Sequence, residues 1–398
     1  MRNVLTINGG SSSIRFAFYD ADDASRQVLG GKIDRIGLSD TTLTVDEPQR
    51  GTTSRTQIKM DAADHRTAVI YLMDWLASHP LFAKVGAVGH RVVHGMQHSN
   101  PERVTPELLA ELKRITPYDP EHLPREIELM ESVSRLHPEL PQVACFDTAF
   151  HRSMPRVATL LPIPRRYEAK GVQRYGFHGL SYTYLMAQLV RLGDPAAARG
   201  RVILAHLGNG ASVAAVRDGK CIDTSMGFTP TAGVVMSTRT GDLDPGVISF
   251  LAATEAMDVA AYQKMVTQES GLLGVSETSS DIRDLLAREA DDVRAAEAVA
   301  LFCYQIKKWI GAFAVALGGI DTLVFAGGIG ENAATIRARI CERMGFLGIE
   351  LSEARNAKSA PLVSADTGSV AVRVIRTDEE SVIASSTIRV LGWDTTKD

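Results

Sequence analysis

Cysteine is scarce in this chain: four in 398 residues, at positions 145, 221, 303 and 341, far apart and never as Cys-x-x-Cys. That spacing argues against a disulfide scaffold, a zinc ribbon or a dithiol redox centre, and predicts buried reduced thiols. Surplus positive charge is missing too. The net charge is −4, with no basic tail or stripe, which makes nucleic acid and acidic membranes poor partners. Long hydrophobic runs are absent. The opening MRNVLTING is too short in apolar run for a signal peptide, and the stretch 313–330 is interrupted by Asp321 and two Gly-Gly pairs. It reads as a helix end running into a buried strand. A cytoplasmic globular protein is the expectation, and the length allows two domains with a core each.

What is present, above all, is a repeat. Residues 2–20, RNVLTINGGSSSIRFAFYD, and residues 200–218, GRVILAHLGNGASVAAVRD, both read as strand, Gly-rich turn and strand. A gapless offset of 198 pairs Val4 with Val202, Gly10 with Gly208, Ala17 with Ala215 and Asp20 with Asp218. Two related domains in tandem follow, each opening on a hairpin. The tips, Asn8 to Ser13 and His206 to Gly210, join strand to strand and lack the GxxxxGK[ST] of a P-loop. One such turn merely reverses a chain. Two at matched positions suit a phosphate chain held in a cleft between domains, because glycine lets backbone N–H groups face an anion.

The rest of each domain follows one plan. Helical spacing covers 68–78 and 106–115, then 142–146 reads as a short buried strand leading into Asp147-Thr148-Ala149. In the second half, hairpins end near Thr224, a long helix covers 291–317, and 322–326 is a strand leading into a Gly-Gly-Ile-Gly-Glu-Asn loop and a helix over 334–343. The expected fold is α/β, two duplicated domains of mixed sheets flanked by helices: residues 1–150, completed by 386–398, and residues 151–385.

Ten motifs in order then carry a resemblance: Asn8–Arg15, GHRVVHG at 89–95, FDTAFH at 146–151, RYGFHG at 174–179, AHLGNGAS at 205–212, SMGFTP at 225–230, STRTGDLDPG at 237–246, SSDIRDL at 279–285, GGIGEN at 327–332 and TDEE at 377–380. Together they resemble the acetokinase family, within the ribonuclease-H-like actin/sugar-kinase/Hsp70-like superfamily. The resemblance implies phosphoryl transfer from ATP to a short carboxylate, with Mg2+ (or Mn2+), in a homodimer. Such chemistry joins two anions, so arginines, neutral donors, a magnesium ion and backbone amides are the expected tools, and a strong base is not needed.

By that resemblance Arg91, Asp147, His178 and Arg239 are catalytic, with Asp147 orienting Arg239 or a metal-bound water. Asn8 and Glu379 match the metal site. Ser11, Ser13, Arg15 and His206-Leu207-Gly208-Asn209-Gly210 fall to the phosphates, Asp281-Ile282-Arg283 to the adenosine, and Gly328-Ile329-Gly330-Glu331-Asn332 to adenine and ribose. Arg91, Val93, Phe177, Pro230 and Tyr118 line the acyl end. A rival constellation, His90, His94 and His98, has the spacing of a helical metal site, but Val92-Val93 and Gly95 suit a strand and turn.

Two departures stand out. Arg15 replaces the family's usual lysine, keeping charge and changing geometry. The family pattern APLHNPxNL is replaced by a shorter segment, Thr116 to Leu123, with Tyr118-Asp119 and no histidine at that place. Tyr118 is expected to serve as pocket wall, and Asp119 to point outward or pair with Arg91 or Arg125.

Overall fold

The computed structural model describes residues 2–10, 13–38, 40–49 and 52–393. It divides into two compact units, residues 1–149 with the segment from Asp378 onward, and Phe150–Thr377. The chain thus re-enters its first unit at Asp378, earlier than residue 386.

The first unit is built on an eight-stranded mixed sheet. Its strands are β1 (Asn3–Gly9), β2 (Ser13–Asp20), β3 (Asp23–Asp34), β4 (Thr42–Gln49), β5 (Thr52–Lys59), β6 (Val85–Val92), β7 (Glu102–Arg103) and β8 (Gln142–Phe146), in the order β5-β4-β3-β2-β1-β6-β8-β7. Strand β1 runs antiparallel to β2 and parallel to β6, and β6 runs parallel to β8. The second unit carries β9 (Arg201–Leu207), β10 (Ala211–Arg217), β11 (Lys220–Thr224), β12 (Thr322–Ala326) and β13 (Ala371–Val374), in the order β11-β10-β9-β12-β13. Here β9 is antiparallel to β10 and parallel to β12, and β12 is parallel to β13. The core β3-β2-β1-β6-β8 therefore has the same order and strand directions as β11-β10-β9-β12-β13. The duplication predicted from the hairpins extends through both sheets.

The registers differ by one residue. Gly9 faces Ile14 across the first tip, whereas Leu207 faces Ala211 across the second. The gapless offset holds for β1 and β9 and slips in the return strand, so Arg15 corresponds in position to Ser212.

Burial explains why these residues form strands. Ile14, Phe16 and Phe18 point into one core with Leu72, Leu76 and Val133. The alternate residues Ala17 and Tyr19 are also buried, because Ala384 and Ile388 of the helix Glu379–Val390 cover the other face. Asp378 caps that helix, accepting from the Ser381 N–H at 3.0 Å, and it accepts from the Tyr19 hydroxyl at the same distance. In the second unit, the helix Val293–Leu317 packs on β9 and β10. By length and composition it could cross a membrane, yet Phe302, Ile306 and Ile310 are buried in the fold. All four cysteines are free and buried, and burial pushes Cys145 and Cys341 up to about 12.

Candidate active site

In the first unit, Arg91 lies at the carboxyl end of β6 and Asp147 directly follows β8. Their strands pair Val92 with Phe146, and the Asp147 N–H donates to the Val92 carbonyl at 2.9 Å. That register delivers the carboxylate to the guanidinium. Arg91 donates from Nε at 3.0 Å and from an Nη at 2.6 Å, and also reaches the Gly9 carbonyl at 3.4 Å. Burial disfavours the guanidinium charge, but Asp147, Glu379 and Glu126 outweigh it and hold Arg91 above its ordinary value. The expectation gave Asp147 to Arg239 or to a metal-bound water; within its own unit the partner is Arg91.

Asn8 is near the end of β1, and Glu379 begins the returning helix. Asn8 Nδ2 donates to Glu379 at 3.1 Å and to Glu380 at 3.4 Å. Burial and the neighbouring Glu379 push the Glu380 carboxyl up, while Arg15 acts the other way. The two predicted metal residues are thus adjacent. Here the amide nitrogen faces the carboxylates; the Asn8 amide oxygen and a Glu379 oxygen are the donor types that suit magnesium, which takes few protein groups and keeps its waters. Among the described residues no cluster of three His, Cys, Asp or Glu has metal-binding geometry. His90 instead bonds Gln142 at 2.7 Å, and burial lowers it to about 4. Arg15 is exposed and Ser13 half-buried at the start of β2; Ser11 lies outside the described residues.

The substituted segment departs from expectation. Thr116–Tyr118 forms a short 3-10 turn and Leu123–Leu136 a helix. Asp119 turns inward, is 4% exposed, and bonds His122 Nδ1 at 2.9 Å. It neither points outward nor pairs with Arg91 or Arg125. The reason is local: the turn brings His122 within reach three residues on, a cheaper partner for a buried carboxylate than a distant arginine. Tyr118 is half-buried, with its ring 6.0 Å from that of His94, and Val93 is buried.

In the second unit, His178 caps the helix Gly179–Arg191 in the left-handed region, φ 59° and ψ 24°. A non-glycine residue there is strained, and such strain collects at functional positions. His178 Nδ1 is bonded to Ser212 Oγ at 2.8 Å, and Ser212 also meets the Tyr182 hydroxyl. The ring lies against His206, centroids 4.3 Å apart, and His206 Nδ1 meets Ser181 at 2.8 Å. A Cβ at Gly210 would stand 3.2 Å from His178 Nε2, a tight approach, and 3.6 Å from an Arg239 Nη, an ordinary contact. Glycine at the tip keeps that space open between an imidazole and a guanidinium. Arg239 is further held by the Pro230 carbonyl at 3.1 Å. Phe177 is buried and its carbonyl meets His151 Nε2 at 2.8 Å.

The segment Gly327–Asn332, expected as a loop, is itself a short helix following β12, with Ala334–Cys341 continuing after it. Gly327 has φ 75°, and a Cβ there would stand 2.6 Å from the Leu207 carbonyl. Glu331 accepts from the Gly327 and Thr377 N–H groups at 3.0 and 3.1 Å, and Asn332 donates to the Gly328 carbonyl at 2.9 Å. Both side chains therefore brace the segment. Asp281 caps the helix Ile282–Arg288 and forms an ion pair with Arg283 at 2.5 Å, which lowers its carboxyl; Ile282 is buried.

Sequence reasoning passed over Arg337, Ser212, Tyr182, Glu126 and Glu380. Arg337 is fully buried and donates to the Gly330 and Glu331 carbonyls at 2.8 and 3.0 Å, to both oxygens of Asn356, and to Ser359. Glu380 could have been found beside Glu379; for the others the partners are too far along the chain for any local signal.

Arginines, carboxylates and Gly-rich tips at the ends of mixed-sheet strands are the groups a phosphoryl-transferring enzyme uses. The Acetokinase family model matches residues 3–385. A propionate kinase of Citrobacter rodentium is 42% identical over 97% of this chain and 96% of its own length, and an acetate kinase of Rhodopseudomonas palustris is 42% identical over 96% of each. Among solved structures, the Porphyromonas gingivalis acetate kinase has a TM-score of 0.87 at 36% identity, and a Francisella tularensis propionate kinase 0.90 at 33%, each covering 98% of this chain and 100% of its own. The chain belongs to the acetokinase family, and is a kinase whose acceptor is a carboxyl group.

Proposed function

We propose that the protein transfers the γ-phosphoryl group of ATP to acetate, reversibly and in line, giving acetyl phosphate and ADP. The arrangement of His178 Nε2 and Arg239 around the vacant Cβ position of Gly210 carries this reading, since it gathers donors where charge on a phosphoryl group would develop. Arg91, fixed by Asp147, takes the carboxylate. Val93 and Tyr118 in the first unit, and Phe177 and Pro230 in the second, are the apolar residues the family resemblance offers to a methyl group. With Ser212 donating its hydroxyl to Nδ1, the His178 proton sits on Nε2, which then donates to the phosphoryl group. Arg239 offsets charge on the equatorial oxygens. The tips at Ser13–Arg15 and His206–Gly210 hold phosphates, while Asp281–Arg283 and Gly328–Asn332 receive the nucleoside.

Asn8 and Glu379 hold magnesium, which when bound neutralises phosphate charge and orients the chain for attack. The acceptor is ionised at neutral pH, so no residue is asked to remove a proton. The working protein is a cytoplasmic homodimer, a reading carried by the family resemblance.

Propionate is the second reading. It is favoured by propionate and acetate kinases matching at the same 42% identity, and one methylene is worth only about 1–3 kcal/mol of discrimination. A coupled ADP-release assay across formate, acetate, propionate, butyrate and glycerol tests both. Acetate should give the highest kcat/KM; ADP release indifferent to every carboxylate would overturn both.

A further inference from the structure

Helix Leu123–Leu136 turns one face inward with Leu123, Ile127, Met130 and Val133, and on that apolar face sits Glu126, only 2% exposed. Its two oxygens lie 3.2 and 3.0 Å from the N–H of Val93. The position of that N–H explains the contact. The β6–β8 ladder ends at the pairing of Val92 with Phe146, so Val93 is the first residue beyond the sheet, and its buried donor would otherwise lose its partner. Glu126 supplies the missing acceptor from a different element.

A carboxyl group is a costly acceptor at such a place, and an apolar residue would suit the helix face better. The surroundings are charged on several sides: Arg91 from β6, Asp119 from the preceding turn and Asp147 from the end of β8. Burial pushes the Glu126 carboxyl well above the ordinary range, Arg91 opposes this, and Asp119 and Asp147 add to the push.

We propose that Glu126 is a positioning residue for the acyl substrate: by holding the Val93 amide it fixes where Val93, and two residues earlier Arg91, meet the carboxylate and its alkyl group. The inference rests on the reading of Val93 and Arg91 as acyl contacts. Through that one hydrogen bond, Glu126 sets the depth of the acyl wall and the discrimination between two- and three-carbon acids, leaving the nucleotide end untouched.

The test compares the full-length wild type with Glu126→Ala and Glu126→Gln, measuring kcat and KM for acetate, propionate and ATP, with a thermal melt for each. Glu126→Ala should raise KM for acetate about tenfold, as expected for a buried donor left unpaired. It should also raise the propionate-to-acetate ratio of kcat/KM, while KM for ATP stays unchanged. Glu126→Gln, whose amide oxygen still accepts, should retain the wild-type KM and ratio. If the alanine variant does not fold, Glu126→Asp, with its carboxyl withdrawn from Val93, should show the same split. Equal changes in acetate and ATP KM, a glutamine variant as impaired as alanine or aspartate, or no change in any variant would each overturn the proposal. Wild type lacking carboxylate-dependent ADP release would instead remove the underlying reading, and that result is seen before any variant is made.

Discussion

Two nitrogens of Arg91 converge on a single oxygen of Asp147, Oδ2, at 3.0 and 2.6 Å. The guanidinium is thereby oriented from one edge, with its charge reinforced by nearby carboxylates. Lysine cannot reproduce a two-nitrogen contact. Arg91→Lys should therefore raise KM for acetate and reduce kcat by about tenfold or more. Asp147→Asn, which keeps an oxygen for Arg91, should do less harm than Asp147→Ala. Steady-state kinetics of the three variants check the order.

Arg239→Ala should reduce kcat by orders of magnitude with little change in ATP binding, because its charge is used most as the phosphoryl group moves. His178→Ala should cost less, about 2–4 kcal/mol of activation free energy, as for one donor to a developing charge. Turnover together with nucleotide titration distinguishes them. An Arg239 variant that loses nucleotide affinity in proportion to rate would make that arginine structural.

Arg337 is buried without a carboxylate partner among the described residues, and burial pulls its guanidinium below its ordinary value. It stays because it satisfies carbonyls of Gly330, Glu331 and Asn356. Arg337→Met should destabilise the protein by about 3 kcal/mol or more, since those acceptors lose their donors. KM for ATP should rise while KM for acetate holds. Denaturant unfolding and the two KM values test this.

Acid should unfold the protein through its buried histidines. Burial lowers His90 and His151 from 6.5 to about 4, so the folded state keeps them neutral where the unfolded chain binds protons. The sign is fixed: their contribution is intact above pH 6.5 and is lost as pH falls from there toward 4. Each histidine accounts for roughly 3 kcal/mol over that interval. Unfolding free energy measured at half-unit steps should show the slope, and His90→Gln should reduce it.

The sequence carried the hairpins because Ile14, Phe16 and Phe18 alternate over a few residues, and it carried β8 and β12 because each is a short apolar run before a Gly- or Asp-rich turn. The match of β1 with β9 was legible for the same reason. The one-residue slip between β2 and β10 was not, since register depends on how a tip closes. Asp119 was misjudged because its partner, His122, becomes available only once a 3-10 turn forms. Nothing in the sequence sets Glu126 or Arg337 apart; what buries them usefully is a backbone group from another element, invisible to any local pattern.

Helix Glu379–Val390 completes the first unit by covering the face of its sheet that carries Val4, Ala17 and Tyr19. During synthesis those residues emerge early and their cover emerges more than three hundred and fifty residues later, about twenty seconds or more at ordinary translation rates. The second unit is continuous in sequence from Phe150 to Thr377. The nascent chain should thus mature out of order, the later unit first, while the earlier one waits with an apolar face open to chaperones.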